Sequence, residues 1–580
     1  MSESKRKHFN LLRGQLENEV ASFRPHWREL SDYIFPRRSR FFTADVNRGD
    51  RRSRNIKDIT PTLAARTLRS GMMSGITSPA RPWFRLTTPD PELAEFGSVK
   101  EWLNIVGQRM SNGFLRSNLY NMLPTTYGDI GVFGTSALLI EEDFNNLIHT
   151  YQFPIGSYMI GNDSRLKVNT FFREFRMSVS QLVEKFGRTT ETGAPDWSKF
   201  STQVKSLWDS GQTQQWIDVC HVIEPNPDYD PKKHAAKFKK FRSVYYESGT
   251  AAGSQTSYMN PDNEDRYLSE SGYDYFPVLC PRWEVVGEDI YGTNCPGMES
   301  LGDNMQLQLG EKRALQALEK MINPPMTAPT SLRNSKASIL PSDITYVDTR
   351  EGQQGFRPAH EVNFRLEALE SKQAQVRNRI NEAFFVNLFL MLANSDRRQI
   401  TAREIEERHE EKLLALGPVL EQLNQDLLDP LIDNTFEIMV RQGLVPEPPQ
   451  ELAGMKLKVE YISVMAQAQK LVGIAGIERF AGFAANVASS NPEILDKIDT
   501  DQLIDVYADL TSIPPGIVRT DEDVEALRAS RAKAQQAQAM SEMVQKSAGA
   551  ARDLSQADMS GDNALTRLLQ QGQAGQLVPQ

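Results

Sequence analysis

Two long amphipathic segments that flank a proline-rich stretch constrain the fold of this chain more than any other sequence feature. In the first segment, apolar side chains form a stripe along one helix face. These positions are Leu301, Met305, Leu309, Leu315, Leu318 and Ile322. The second segment, residues 363–392, predicts a helix on the order of 45 Å long. Residues 323–361 lie between the two and hold five prolines around a strand-like 344–347, so the sequence predicts two long helices joined by a compact module.

A polar link and a leucine-rich helix follow the second segment. Residues 394–399 read Asn-Ser-Asp-Arg-Arg-Gln and predict an exposed loop. Thr401, with a glutamate three residues later, matches the capping-box pattern and predicts the start of a helix. That helix is expected to run to Gly443. Pro418, preceded by Gly417, predicts a kink within it, because proline removes a backbone donor and clashes with the preceding turn.

The part of the chain before these helices predicts a body of mixed helix and strand. Residues 2–35 carry a helical stripe in two parts, and residues 135–290 alternate β-branched runs with turns rich in Pro, Asn and Asp. Between them, residues 37–57 hold eight basic and only two acidic side chains, which predicts an exposed basic loop. This basic loop could contact DNA or a capsid, or it could be a solvated loop that pairs with a neighbouring subunit.

Composition limits the classes of partner. The net charge of −9 argues against a protein that grips nucleic acid over its whole surface, because DNA affinity comes largely from cations that displace counterions. A channel through which a duplex slides would instead gain from a weakly repulsive wall. Three isolated cysteines, at positions 220, 280 and 295, predict buried thiols and fit a reducing cytoplasm. The longest apolar run, 383–393, is too short to cross a bilayer, so no membrane partner is expected.

The motifs of the common enzyme classes are missing from the sequence. The chain contains no Gly-x-x-x-x-Gly-Lys-Ser/Thr loop, so it lacks the phosphate cradle of a P-loop ATPase of the usual type. His409 has no second histidine four residues away, as a metalloprotease helix would require. We therefore expect no catalytic residue, no cofactor and no metal site.

Four groups of residues resemble the head-to-tail connector, or portal, family of short-tailed bacteriophages, over about residues 5–515. No single group is diagnostic, but their order and spacing together are highly specific. The first comprises Arg24, Trp27, Glu29, Tyr33, Pro36, Asp58, Thr60 and the segment 74–84. The others are 117–120 with Tyr127, Asp129 and 133–135; Phe276, Pro277, Arg282, Trp283, Tyr291 and Gly292; and 401–404 with Glu407 and Arg408.

The resemblance implies an α+β, mainly α, portal fold that assembles as a ring, normally of twelve subunits, around an axial channel. It also implies an order of regions along the chain. These are a wing (1–296 and 401–465), a first stem helix (297–322), a clip (323–361), a second stem helix (362–392), a tunnel loop (393–400), a crown (466–519) and a C-terminal helix with a flexible tail (520–580).

On this reading the chain is a structural protein of the virion, located at one capsid vertex and assembled in the host cytoplasm. The tunnel-loop residues expected to meet passing double-stranded DNA, transiently and without sequence preference, are Asn394, Ser395, Arg397, Arg398 and Gln399. Those expected to dock the large terminase, and later the tail adaptor or tail tube protein, are Arg333, Asn334 and Lys336. Further partners would be the major capsid protein, the scaffolding protein and other copies of the chain. The alternatives are a nuclease of the packaging machinery and a tail or scaffold component.

Overall fold

The structure is a computed structural model of the 580-residue chain. It describes residues 5–38, 49–90, 93, 96–187, 195–233, 235–248, 267–327, 333, 357–358, 366–395, 416–452, 457–462, 477, 480–484, 486–487, 498–510, 519 and 521–556. The chain divides into two units. One comprises Met1–Ala94 with Ser98–Lys497, and the other comprises Glu95–Gly97 with Ile498–Gln580.

The larger unit mixes helices and sheets, which confirms the predicted mixed class. Its helices up to the sheet region are α1 (Lys5–Ala21), α2 (Phe23–Tyr33), α3 (Thr60–Ile76), α4 (Gly97–Arg116), α5 (Leu119–Phe133), α6 (Val179–Phe186) and α7 (Thr202–Asp209). Those that follow are α8 (Pro296–Glu299), α9 (Leu301–Ile322), α10 (Leu366–Ala383), α11 (Val386–Ser395), α12 (Gly417–Leu423) and α13 (Asp429–Arg441).

The strands form four antiparallel sheets. Their bounds are β1 (Phe84–Thr87), β2 (Ala137–Asp143), β3 (Leu147–Phe153), β4 (Tyr158–Asn162), β5 (Val168–Ser178), β6 (Trp216–Pro225), β7 (Phe241–Glu247), β8 (Ser269–Tyr273), β9 (Val278–Leu279), β10 (Met326–Thr327), β11 (Arg357–Pro358) and β12 (Lys458–Tyr461). The largest sheet has the order β4-β5-β6-β7-β8, a second has the order β3-β2-β9, and β1-β12 and β10-β11 pair separately.

Helices pack on both faces of the five-stranded sheet. Successive side chains of a strand point to opposite sides, so one strand can contribute to two apolar clusters. Val219 and Tyr245 face one side and join the small apolar cluster of α6 and α7. Val222 and Tyr246 face the other side and join Phe9 of α1 in the main core. The sheet is therefore an internal layer of the body.

The main core depends on aromatic side chains from distant parts of the sequence. Trp27 of α2 is fully buried, stacks with Phe23 and meets Tyr291 edge-on, with ring centroids 5.1 Å apart. Its indole N–H donates to the carbonyl oxygen of Phe133 at 3.2 Å. The Tyr291 hydroxyl accepts from the backbone N–H of Ile160 at 3.1 Å. These contacts join α2, α5 and the sheet region into one body.

The predicted second long helix is divided in the structure. Instead of one helix over 362–392, α10 ends at Ala383 and α11 begins at Val386. Phe385 adopts a left-handed backbone conformation with φ of 53°. The break inserts Phe384 fully into the core and turns Phe389 against α3. Tertiary packing therefore overrides the local helical pattern, which has no proline or glycine at this point.

A second irregularity lies in the leucine-rich helix that precedes Gly443. Between α12 and α13, the segment Asn424–Leu428 forms a π-helical turn, and Pro430 follows it. Proline in a helix clashes with the carbonyl four residues earlier, here that of Asp426, and a widened π turn relieves the clash. Gly417 and Pro418 lie in the first turn of α12. Residues 401–415 are outside the described residues, so the kink at Pro418 stays a prediction.

The smaller unit contains α14 (Thr500–Leu510) and α15 (Asp521–Gln556). Helix α15 continues to Gln556, which makes it about 54 Å long. Arg528 of α15 forms a two-pronged ion pair with Asp501 of α14, at 2.6 and 2.8 Å. The side chains described along α15 beyond Arg528 are exposed.

Candidate channel and docking elements

Helices α9 and α10 pack side by side in opposite directions as a helical hairpin, which we call the α9/α10 hairpin. Arg379 near the end of α10 pairs with Asp303 near the start of α9, at 2.6 and 3.0 Å. Further along, Arg377 pairs with Glu311 at 2.5 Å. Gly310 faces the side chain of Gln373, which lies a turn earlier in α10. These pairings run in opposite sequence order on the two helices, so the helices are antiparallel.

The base of the hairpin belongs to the core of the body. Leu301 and Leu307 of α9 are buried, as are Val376 and Ile380 of α10. The C-terminal half of α9, which we call the hairpin tip, is exposed in the single chain, although it also carries apolar side chains. Leu315 is 57% exposed, Leu318 is 41% exposed and Ile322 is 76% exposed. The exposed residues lie at steps of three and four, so they form an apolar stripe on one face of the helix.

The base is also held by a polar joint to the segment before α3. The side-chain oxygen of Gln308 accepts from the backbone N–H groups of Lys57 and Asp58, at 2.5 and 2.9 Å, and its amide donates to the carbonyl of Asp58 at 2.8 Å. Arg377 donates to the Asp58 carboxylate at 2.7 Å. Burial raises the pKa of Asp58, but hydrogen bonds from Thr60 and Arg377 outweigh burial, so its pKa lies below the ordinary value. Asp58 therefore stays ionised within this joint.

Helix α11 leads from the hairpin toward the predicted tunnel loop. Phe389 packs on Gly71 of α3 so closely that a Cβ at Gly71 would overlap its ring. On the other side, Leu390 and Met391 are exposed. The helix ends at Ser395, so Asn394 and Ser395 lie in its last turn and not in a loop as expected. Arg397, Arg398 and Gln399 are outside the described residues.

The predicted clip is described at its two ends. Immediately after α9, β10 pairs with β11 in the register Met326 to Pro358 and Thr327 to Arg357. This pairing brings the two described ends of the segment together, and the compact module predicted between them stays a prediction. Arg333 is exposed. Asn334, Lys336 and the strand-like 344–347 lie outside the described residues.

The chain was compared with known families and proteins. The family model of the bacteriophage head to tail connecting protein matches residues 6–518. The portal protein of Salmonella phage epsilon15 is 47% identical over 569 residues, which cover 98% of each chain. The probable portal protein of Bordetella phage BPP-1 is 44% identical over 553 residues, 95% of this chain and 96% of the relative.

The chain belongs to the bacteriophage head-to-tail connecting protein family. This confirms the resemblance and the classification as a portal protein, a structural component of the virion at the capsid vertex and not an enzyme. The exposed α9/α10 hairpin and the hydrogen-bonded joint at Gln308 are therefore parts of a head-to-tail connector.

Several residues that carry the connector resemblance prove to be parts of the core. Trp27 and Tyr291 form the aromatic contact described above. The Tyr127 hydroxyl lies 2.9 Å from that of Thr77, and both side chains are buried. Arg282 makes a buried two-pronged ion pair with Asp426 in the π turn, at 2.9 and 3.1 Å. The motifs of the connector family thus mark packing positions, and sequence reasoning missed these roles because each partner lies far away in the chain.

The described residues offer no separate chemical centre. All three cysteines are buried free thiols, as expected, and burial raises the pKa of Cys220 and of Cys295 to about 12. Within the described ranges, no three His, Cys, Asp or Glu side chains cluster closely enough to hold a metal ion. His409, which the sequence did not favour as a metal ligand, lies outside these ranges.

A search of the described helices for a membrane span gave none of sufficient length and apolar character.

Proposed function

We propose that copies of this connector assemble into a closed ring of twelve subunits at one capsid vertex, through which double-stranded DNA enters and leaves the head. The observation that carries the proposal is the apolar stripe of Leu315, Leu318 and Ile322 on the α9/α10 hairpin. Large contiguous apolar patches are rare on monomeric soluble proteins and mark contact surfaces.

A second copy of the chain is the occupant that best suits this stripe. Subunits that contact each other through two different surfaces form a ring when the rotation between them closes. Within such a ring, the hairpins of successive subunits would stand side by side and cover one another's apolar stripes. This arrangement makes the α9/α10 hairpin the stem and encloses an axial channel.

The remaining regions follow from their order along the chain. The wing would comprise 1–296 and 401–465, the clip 323–361, the tunnel loop 393–400 and the crown 466–519, with the C-terminal helix and tail over 520–580. The described ends of the clip, joined by β10 and β11, support a compact module at the far end of the hairpin. We propose that Arg333, Asn334 and Lys336 of the clip dock the large terminase and later the tail adaptor. The major capsid protein and the scaffolding protein would contact the rest of the ring.

The channel acts on DNA physically and not catalytically. A net charge of −9 keeps duplex binding weak, so a separate ATPase can move the DNA through the ring. Arg397 and Arg398, two and three residues beyond the end of α11, would make transient phosphate contacts. Such contacts carry no sequence information, as a packaging channel requires.

The ring proposal is tested with Leu315→Glu combined with Leu318→Glu. A carboxylate on the stripe would have to be desolvated between subunits, so we expect the doubly substituted chain to remain folded and to form no rings. Native mass spectrometry and end-on negative-stain images measure the outcome. Phe144→Glu serves as the control, because Phe144 is an apolar residue, 86% exposed, in the turn between β2 and β3 and away from the stripe. Rings that form normally from the stripe variant would refute this role of the hairpin.

The tunnel-loop proposal is tested with Arg397→Ala combined with Arg398→Ala. We expect rings to assemble and DNA packaging or retention to change, because two phosphate contacts are lost in every subunit. Gln399→Ala, which removes no charge, is the control. Unchanged packaging and retention in an assembled ring of the double variant would exclude these arginines from the DNA path.

A further inference from the structure

A cavity of about 420 Å³ opens in the body between the end of α2, helix α3 and helix α5. Its size falls in the range of small-molecule sites. Five arginines line it together with one carboxylate, and no role has been assigned to it. The charged lining residues are Arg37, Arg38, Arg52, Arg66, Arg69 and Asp129.

The turn that carries the first two arginines is fixed by the body. The hydroxyl of Thr62 donates to the carbonyl of Ile34 at 3.0 Å, and the N–H of Arg38 donates to the carbonyl of Phe35 at 2.9 Å. The Arg38 guanidinium pairs with the buried Asp129 at 2.9 Å. The amide of Gln152 donates to the other carboxylate oxygen at 2.6 Å. These contacts hold the turn that carries Arg37 and Arg38, and the Asp129 carboxylate, in place at the wall of the cavity.

The charge within the cavity is not balanced by its own lining. Asp129 pairs with Arg38 and also attracts Arg69, and Arg37 and Arg52 take part in other interactions. Arg66 and Arg69 lie one turn apart on α3 and point to the same face. A glycine at position 128 of α5 gives Arg69 room, because a Cβ there would lie 3.3 Å from its Cδ. Two guanidinium groups thus converge on a cavity whose described lining offers a single carboxylate.

We propose that this arginine cavity binds a compact anion that carries several phosphate groups. Guanidinium groups match the paired oxygens of phosphate and form charge-assisted, two-pronged hydrogen bonds with them. Every positively charged residue that lines the cavity is an arginine. Two threonines, Thr62 and Thr125, add hydroxyl groups to the wall.

The geometry favours a compact phosphate compound over an acidic protein segment. A lone carboxylate side chain neutralises one charge, whereas a polyphosphate brings several negative charges into a small volume. A DNA duplex is too wide to enter the cavity and could present phosphates only at its mouth. The phosphate groups could come from a free polyphosphate or nucleotide, or from the end of a nucleic-acid strand.

The proposal is tested by titration calorimetry on the full chain with tripolyphosphate, ATP and a short single-stranded oligonucleotide. We expect saturable binding of tripolyphosphate, and about tenfold or greater weakening for each arginine replaced, since each loses a charge-assisted hydrogen bond. Arg66→Gln combined with Arg69→Gln provides the double variant, and Arg66→Gln alone provides one that spares the semi-buried Arg69. Equal affinities for tripolyphosphate and ATP assign the site to free phosphate compounds. Tighter competitive binding of the oligonucleotide assigns it to nucleic-acid ends.

Arg116→Gln combined with Arg165→Gln is the matched control, because it removes the same charge from exposed positions outside the cavity. We expect this control to bind as the unaltered chain does. An absence of saturable binding, equal weakening in the control, or undiminished binding by Arg66→Gln would overturn the proposal. Binding of a glutamate-rich peptide without any binding of tripolyphosphate would overturn it as well, and would make the cavity a protein contact.

Discussion

The two halves of α9 show how differently the same kind of sequence can be stabilised. Leu307, in the half that joins the body, is 1% exposed, whereas Leu315, two turns further on, is 57% exposed. Both are leucines on the same continuous helix. Leu307 belongs to the main apolar core together with Val376 and Ile380 of α10, whereas Leu315 lies outside that core in the single chain. The body is therefore stabilised by contacts within one chain, whereas the hairpin tip is the surface that we propose is covered by a neighbouring subunit.

This comparison separates two kinds of substitution. Changes in the body should lower the free energy of unfolding of each subunit and should affect assembly only through folding. Changes at the hairpin tip should leave the subunit intact and affect assembly directly. The joint at Gln308 lies between the two regions, so it shows whether they are coupled.

The largest effect is expected for Trp27→Ala. Trp27 is fully buried and contributes both an aromatic contact and a hydrogen bond to Phe133. Removal of a large core side chain leaves a cavity and costs about 3–5 kcal/mol of unfolding free energy. Urea denaturation followed by circular dichroism measures the change.

Trp216→Ala is the control for that substitution, because Trp216 is 46% exposed at the start of β6. We expect its effect to be several-fold smaller. Similar losses in the two variants would show that the body does not depend on the aromatic core around Trp27, and the contrast between body and hairpin tip would fail.

A slightly smaller effect is expected for Arg282→Ala. This substitution leaves Asp426 in the π turn without its cation, and an unpaired buried charge costs about 3 kcal/mol or more. Arg282→Met together with Asp426→Leu should recover much of the loss, since apolar replacement of a buried pair is often neutral. Calorimetric unfolding of the single and double variants provides the comparison. A double variant no more stable than Arg282→Ala would contradict this account.

Gln308→Ala should have an intermediate effect at the joint. It removes three hydrogen bonds to the backbone of Lys57 and Asp58, each worth about 1 kcal/mol net. Hydrogen exchange should accelerate at the base of α9 and near residue 58, and rings should still form if the tip is independent. Gln306→Ala, an exposed position on the same helix, is the control. Loss of ring formation with a stable body would show instead that the joint transmits assembly.

The parts of the fold that could be predicted from the sequence are those set by local signals. Helix α9 ends at Ile322 because Pro324 and Pro325 follow, and proline acts on its immediate neighbours. The division at Phe384 and Phe385 could not be predicted, since its cause is packing against the core and against Gly71. The π turn before Pro430 is a different case. Pro430 within the leucine-rich helix indicated an irregularity there, but the regular leucine spacing favoured an unbroken helix.

The candidate site was predictable to a smaller extent. The spacing of apolar residues indicated the two helices of the hairpin, because amphipathic periodicity depends only on residues in adjacent turns. The Gln308 joint and the Arg282–Asp426 pair connect residues far apart in the chain, and one sequence carries no signal for such pairings. The basic loop was recognised from its charge alone. Three of its arginines, Arg37, Arg38 and Arg52, meet Arg66 and Arg69 around one cavity. This meeting depends on the packing of α3 against α5, which the sequence does not show.

The smallest effect is expected where an ion pair is exposed, at Arg379 and Asp303 of the hairpin. Its hydrogen bond from Arg379 lowers the pKa of Asp303, so the pair stabilises the fold above the ordinary aspartate pKa of about 3.9 and is lost as the pH falls through the lowered value. Water and salt screen exposed pairs, so Arg379→Ala should leave unfolding at neutral pH almost unchanged. Denaturation at low and high salt tests this, with Arg282→Ala as the buried counterpart. A loss for Arg379→Ala as large as that for Arg282→Ala, and insensitive to salt, would mean that the base of the hairpin is as firmly held by charge as the body is.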